Sequence, residues 1–287
     1  MKDAREQMIR QMKLRNLSPA TQERYLWILQ HLEEQAGKPL EKIRLTQVRD
    51  YLLHLHETCG LAPSTINARA RCLRFFFLTV LGRTWPRECI PNAREPKRLP
   101  VVLSPAEVVH FFDTVESFKY RVIFMLMYAA GLRVSEAARL QAVHIDSQRM
   151  VIRVEQGKMS KDRYVMLSRD LLGILRQYWK MRPTFKNDAQ KYLFPGDHPQ
   201  EHIATSSIGI VCKKTLAKSG LKKAVTPHTF RHCFATHLLE AGVDLRTIQV
   251  LMGHASFSST ARYTHLATAS IARMKSPFDS LPRPEGR

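Results

Sequence analysis

A strap at positions 91–105, PNAREPKRLPVVLSP, carries Pro91, Pro96, Pro100 and Pro105. Proline fixes φ and lacks an N–H, so no helix runs through this stretch and its path is extended. Arg94, Lys97 and Arg98 make it basic. The strap divides the 287-residue chain into two parts, each long enough to bury a core of its own. The expected division is 1–90, a linker 91–103, and 104–287.

The first part reads as helical throughout. A short helix is expected over Asp3 to Leu14. Ser18-Pro19 is a cap followed by proline at the first helical position. The helix after it spaces Tyr25, Leu29, Leu32 and Ala36 along one face, and Gly37 ends it. Thr46 opens a third helix with Val48, Leu52 and Leu55. Ser64 opens a fourth, with Ile66, Leu73, Phe77 and Val80 inward. Asn67, Arg69, Arg71 and Arg74 lie on that fourth helix, where such residues can grip phosphates and reach a groove.

The second part opens on a capping box, Ser104 to Glu107. The longest apolar run, Val122 to Leu132, is too short to span a bilayer and reads as a buried helix. Gly131 ends it, Arg133 follows at a tight junction, and Glu136 stands three residues on. Two alternating stretches, Met150 to Glu155 and Arg163 to Leu167, read as a β-hairpin around QGKMSKD, with Lys158 and Lys161 at its tip. Helices follow from Ser168 and Thr205. Thr226-Pro227 starts another, and Asp244 caps a short one that ends at Gly253. The expected class is mainly α with a small antiparallel β-sheet.

The charge is the unusual part of the composition. Lys+Arg number 45 against 25 Asp+Glu, for a net charge of +20. Residues 1–98 hold 18 Lys/Arg against 10 Asp/Glu, leaving +8 there and +12 in the remainder. Both parts are basic, so a single tail does not explain the total, and a polyanion such as nucleic acid is the first expected partner. Two basic domains on a basic strap can close around a duplex. The five cysteines are odd in number and lack paired spacing, which suits a reducing compartment. With no signal-peptide core at MKDAREQMIR and no span, a cytoplasmic protein without a membrane partner is expected.

The chemistry gathers in Thr226 to Tyr263. His228 and Arg231 lie one turn apart near a helix N-terminus, where the dipole favours an anion. His254 follows Gly253, and Tyr263 comes nine residues later. Phosphodiester cleavage by a side chain needs a nucleophile, neutralisation of the transition state and an acid for the leaving oxygen. Tyr263 can attack and form a covalent ester. Arg133 and Arg231 can fork onto the non-bridging oxygens, with His254 donating beside them. Lys158 can protonate the departing 5′ hydroxyl, and His228 can accept the tyrosine proton. Glu136 can orient Arg133. No two-metal acidic cluster and no P-loop appear, so neither metal nor ATP is expected.

These residues carry a resemblance. Gly131-Leu132-Arg133-Val134-Ser135-Glu136, His228-x-x-Arg231-His232, Leu251-Met252-Gly253-His254 and Tyr263 resemble the tyrosine recombinase (phage integrase) family, in order and at fitting separations. The turn Gly157 to Arg163 resembles the family's lysine turn, with Met159 where a second glycine is common. The resemblance implies a helical core-binding (SAM-like) domain followed by a catalytic domain, closing as a C-shaped clamp on duplex DNA with inverted-repeat core sites. It implies a 3′-phosphotyrosine, a four-way junction, and a tetramer in which the segment after Tyr263 docks on a neighbour through Ile271, Met274 and Phe278. The turn and the tail from Lys275 also look similar to the integron integrase branch. Only 67 residues separate Lys158 from Thr226, too few for that branch's long extra segment, so ordinary duplex sites are expected.

Three rivals stand beside this reading. His228, His232, Cys233 and His237 have metal-ligand spacing, although Arg231 between them opposes a cation. A catalytically silent DNA-binding accessory protein has the same fold. A relaxing topoisomerase has the same chemistry.

Overall fold

The computed structural model describes residues 4–86, 88–96, 99–155, 162–181, 191–198 and 200–253. The chain forms two compact units, residues 1–97 and 98–287.

The N-terminal unit holds four helices: α1 (Ala4–Leu14), α2 (Pro19–Ala36), α3 (Leu45–Glu57) and α4 (Pro63–Thr79). Ser18 caps α2 by accepting from the Thr21 N–H, and Pro19 takes the first helical position. The last two starts fall just before the expected residues. Gln47 reaches back to the Arg44 N–H, so α3 begins at Leu45. Proline at position 63 begins α4 a residue before Ser64. Met8, Leu29, Leu32, Leu52, Leu73, Phe76 and Phe77 form the core of this unit. The unit runs past residue 90 into the strap because Asn67 ties it down. Its amide donates to the Ala93 carbonyl (2.9 Å) and to Glu95 Oε1 (2.8 Å), and its oxygen accepts from the Ala93 N–H (2.8 Å).

The C-terminal unit begins with α5 (Pro105–Thr114), whose capping box forms between Ser104 and Glu107. Helix α6 (Phe118–Ala129) is apolar nearly all round and is accordingly central, packed by α5, α7 (Val134–Ala138), α8 (Arg169–Met181) and α10 (Pro227–Glu240). It starts four residues before the apolar run does. Three antiparallel strands lie in the order β1 (Ile145–Asp146), β2 (Val151–Val154), β3 (Arg163–Met166). The two long strands match the alternating stretches. The two-residue β1 has no alternation of its own to announce it, and it exists because β2 offers it an edge. Helices α9 (Thr205–Ser219) and α11 (Leu245–Met252) complete the described α-helices.

Helix α10 is fixed by aromatic packing. The Phe230 ring lies 4.9 Å from Phe111, 5.5 Å from Phe112 and 5.3 Å from Phe124. Three polar contacts add to this. His237 Nε2 donates to the Leu103 carbonyl (3.0 Å), which leaves Nδ1 to accept from the Tyr128 hydroxyl (3.0 Å). Cys233 Sγ accepts from the Leu103 N–H (3.2 Å). With Phe230 facing the core, Arg231 is turned toward the junction between α6 and α7.

Candidate active site

The site is built on one carboxylate. Glu136 occupies the third position of α7, and its side chain is 7% exposed. Its Oε2 accepts from the Arg133 backbone N–H (2.7 Å), and its Oε1 from Arg133 Nη1 (2.7 Å). Arg163, the first residue of β3, forks onto both oxygens from the other side, Nη1 to Oε1 at 2.9 Å and Nη2 to Oε2 at 2.8 Å. Arg231 Nη1 lies 3.8 Å from Oε2. Burial pushes the Glu136 carboxyl up; the Arg163 hydrogen bonds and charge, then the Arg133 donors, outweigh this and bring its pKa down to about 2. The carboxylate is therefore ionised at any working pH.

Two glycines let the backbone come close enough to use these arginines. Gly131 has φ +63°, and a Cβ there would meet the Phe234 ring at 2.5 Å. Its carbonyl accepts from Arg231 Nη1, and the Met252 carbonyl accepts from Nη2. Arg231 is 4% exposed. Gly253, with φ +57°, caps α11, and a Cβ there would lie 2.9 Å from Arg163 Cδ. The Gly253 carbonyl accepts from Arg133 Nη2 (3.2 Å), and the Leu251 carbonyl from Arg163 Nε (2.9 Å). The start of α7, the first turn of α10, the start of β3 and the end of α11 thus meet around Glu136.

His228 stands one turn before Arg231 and is open to solvent on one side. Desolvation by its neighbours, then the positive charges of Arg231 and Arg133, hold its imidazole below the ordinary histidine pKa, against the pull of Glu136. It is therefore neutral near pH 7 and able to take a proton.

Of the six residues assigned to catalysis from the sequence, the structure brings Arg133, Arg231 and His228 together, with Glu136 among them. Lys158, His254 and Tyr263 lie outside the described residues. So do Lys97, Arg98, Lys161 and the tail positions Ile271, Met274 and Phe278. The strands on either side of Lys158 in sequence pair antiparallel, with Val154 opposite Arg163. Gly253, the residue before His254, is held at the site by Arg133.

The residues assigned to DNA on α4 divide. Asn67 is 7% exposed and spends its amide on the strap, so in this arrangement it serves the fold and is not presented to a duplex. Arg69 Nη1 donates to the Tyr51 hydroxyl (2.7 Å), and its guanidinium lies 4.9 Å from the centre of the Trp27 ring. Arg71 is exposed and Arg74 half-buried, and both line a cavity of about 350 Å³ with Trp85 and Ile90. Arg94 is exposed.

Arg163 is the site residue that sequence reasoning missed. The signal for it was strand alternation. Val165 is buried while Tyr164 and Met166 are exposed, which puts Arg163 on the inner face, where an arginine requires a carboxylate. The metal-ligand spacing on α10 dissolves in three dimensions, because His237 and Cys233 are turned to Leu103 and Tyr128 in the core. Among the described residues no three His, Cys, Asp or Glu side chains are grouped to hold a metal ion. No helix among them is long and apolar enough to cross a membrane.

Residues 102–270 match the phage integrase family, and residues 5–87 match the phage integrase N-terminal SAM-like domain. The chain is similar to the integrase/recombinase-type protein y4qK of Sinorhizobium fredii, at 46% identity over 99% of this chain and 91% of that one. It is 32% identical to the tyrosine recombinase XerA of Pyrococcus horikoshii over 94% of this chain and 91% of that one. The Tn1549 transposon integrase, solved in complex with transposon right end DNA, shares the fold at a TM-score of 0.71 and 21% identity, over 94% of this chain and 99% of that one. The chain belongs to the phage integrase family, the tyrosine recombinases, and its enzyme class is that of a site-specific DNA recombinase.

Proposed function

We propose that this recombinase cuts and rejoins duplex DNA through a 3′-phosphotyrosine on Tyr263. The observation that carries the reading is the convergence of Arg133 and Arg231, about a hundred positions apart in sequence, on one buried carboxylate beside Gly253. Two guanidiniums held there form a preorganised clamp for the non-bridging oxygens of a scissile phosphate. Tyr263 attacks phosphorus, the bond to the 5′ oxygen breaks, and Lys158 supplies that oxygen with a proton. Neutral His228 receives the phenol proton, and His254 donates to the phosphate. Reversal by a partner strand's 5′ hydroxyl restores the phosphodiester with no external energy, and two such rounds pass through a four-way junction. Four protomers on paired inverted-repeat sites, joined by the segment after Tyr263, are the proposed assembly. The protein acts in the cytoplasm without metal or other cofactor.

The test is a duplex nicked beside the cleavage position, so that the released fragment diffuses away. Wild-type protein is expected to leave a protein–DNA adduct that survives denaturation and forms equally well in EDTA. Tyr263→Phe is expected to leave none. An adduct from that variant removes Tyr263 as nucleophile.

Binding should draw on both units, since each is basic. Arg71→Ala with Arg74→Ala is expected to make the slope of log affinity against log salt shallower by about 1–2, one phosphate contact per arginine. An unchanged slope in a titration from low to moderate salt would remove α4 from the DNA-binding surface.

A further inference from the structure

Glu136 has two oxygens and about four acceptor positions. Four donors fill them: the Arg133 N–H, Arg133 Nη1, Arg163 Nη1 and Arg163 Nη2. The carboxylate is saturated, and Arg231 Nη1 stays 3.8 Å from it, outside hydrogen-bond range. Arg163 alone supplies half of that saturation. Its Nε donates to the Leu251 carbonyl and both its Nη groups to Glu136, so all three nitrogens of its guanidinium are engaged within the protein. Its place is fixed on three sides, by the sheet, by Glu136 and by the Gly253 backbone over which its Cδ packs.

We propose that Arg163 is a positioning residue. It occupies the Glu136 carboxylate so that Arg231, held on the Gly131 and Met252 carbonyls, and Arg133, held on the Gly253 carbonyl, keep the orientation in which they meet the scissile phosphate. Without Arg163 two acceptor positions open beside Arg231, and a movement of about one ångström closes the guanidinium onto the carboxylate instead. The inference rests on the proposed phosphate-binding role of Arg133 and Arg231. It adds that their orientation is held by a third arginine that touches no DNA.

The test is single-turnover adduct formation by the full-length protein on the nicked duplex, with DNA affinity measured in parallel. Arg163→Met is expected to slow adduct formation about 100-fold while affinity stays within about threefold. Arg163→Lys keeps the charge but cannot span both oxygens, and is expected to remain at least about tenfold slow, which covers the case of a poorly folded Arg163→Met. The discriminating substrate carries a methyl group in place of one non-bridging oxygen at the cleavage position. Its transition state bears one charge fewer and depends less on the arginines, so the Arg163 defect is expected to shrink to within about fivefold. A purely structural role leaves the same defect on both substrates and overturns the proposal. A wild-type rate for Arg163→Met beside a slow Arg231→Ala overturns the proposal alone. A wild-type rate for Arg231→Ala overturns the phosphate reading and the proposal with it.

Discussion

Replacing Glu136 with alanine is expected to cost the C-terminal unit about 3–5 kcal/mol, the scale on which removing one partner of a buried ion pair destabilises a protein. Arg163 and Arg231 are nearly inaccessible to water, and a guanidinium cannot shed its proton to escape. Both would stay charged with their counter-ion gone. Glu136→Gln keeps the shape and one acceptor but removes the charge, so a smaller loss is expected. Urea denaturation followed by circular dichroism measures both.

The pH dependence of that loss has a definite sign. The Glu136 carboxyl is held at about 2 in the folded protein, by Arg163 first and then Arg133, against the effect of burial. An unfolded glutamate titrates near 4.3, so the stabilisation, roughly 3 kcal/mol, is complete above about pH 5 and disappears as pH falls toward 2. The gap between wild type and Glu136→Gln is expected to narrow across that window. A gap that stays constant from neutral pH down to about pH 2.5 contradicts a role for the ionised carboxylate.

Gly131→Ala is the second large effect. The position has φ +63°, and its new methyl would sit 2.5 Å from the Phe234 ring atoms. Left-handed backbone and overpacking together are expected to cost about 2–4 kcal/mol. Gly220→Ala in the same unit separates the two causes. Its φ is +69° and nothing lies within 4 Å of the added carbon, so only the backbone part, about 1–2 kcal/mol, is expected. The Gly131 carbonyl also receives Arg231, so any backbone shift moves the proposed phosphate clamp, and a further loss of about 100-fold in cleavage rate is expected from a displacement near 1 Å. Equal stabilities for the two variants would show that Phe234 yields freely and that the close approach is unimportant.

Most of the fold was legible because its signals are local. Caps at Ser18, Ser104 and Asp244, prolines at first helical positions and glycines after helix ends state where chains turn, whatever the tertiary context. The alternation in Met150 to Glu155 and Arg163 to Leu167 gave the hairpin strands for the same reason. What was not legible depends on who meets whom. β1 is two residues long and is made by its neighbour. Asn67 looked like a groove-reaching side chain on an arginine-rich helix, but its amide matches the backbone of a strap 26 residues away. Arg163 looked like the end of a lysine turn. Its inward direction was present in the alternation, but its partner, Glu136, lies 27 residues away in sequence and is met only in the folded chain. The metal-ligand spacing on α10 failed because helical adjacency ignores His237 and Cys233 being drawn into the core by the backbone around Leu103.

The most direct measurement is the identity of the residue that carries DNA in the covalent adduct. Adduct formed on the nicked duplex is digested with protease and nuclease, and the modified peptide is sequenced by mass spectrometry. A nucleotide attached through its 3′ phosphate to Tyr263 is the expected result, with a free 5′ hydroxyl on the released strand. Attachment to any other side chain, a 5′-linked nucleotide, or the absence of any adduct from active protein would contradict a site in which Arg133 and Arg231 prepare a phosphate for that tyrosine.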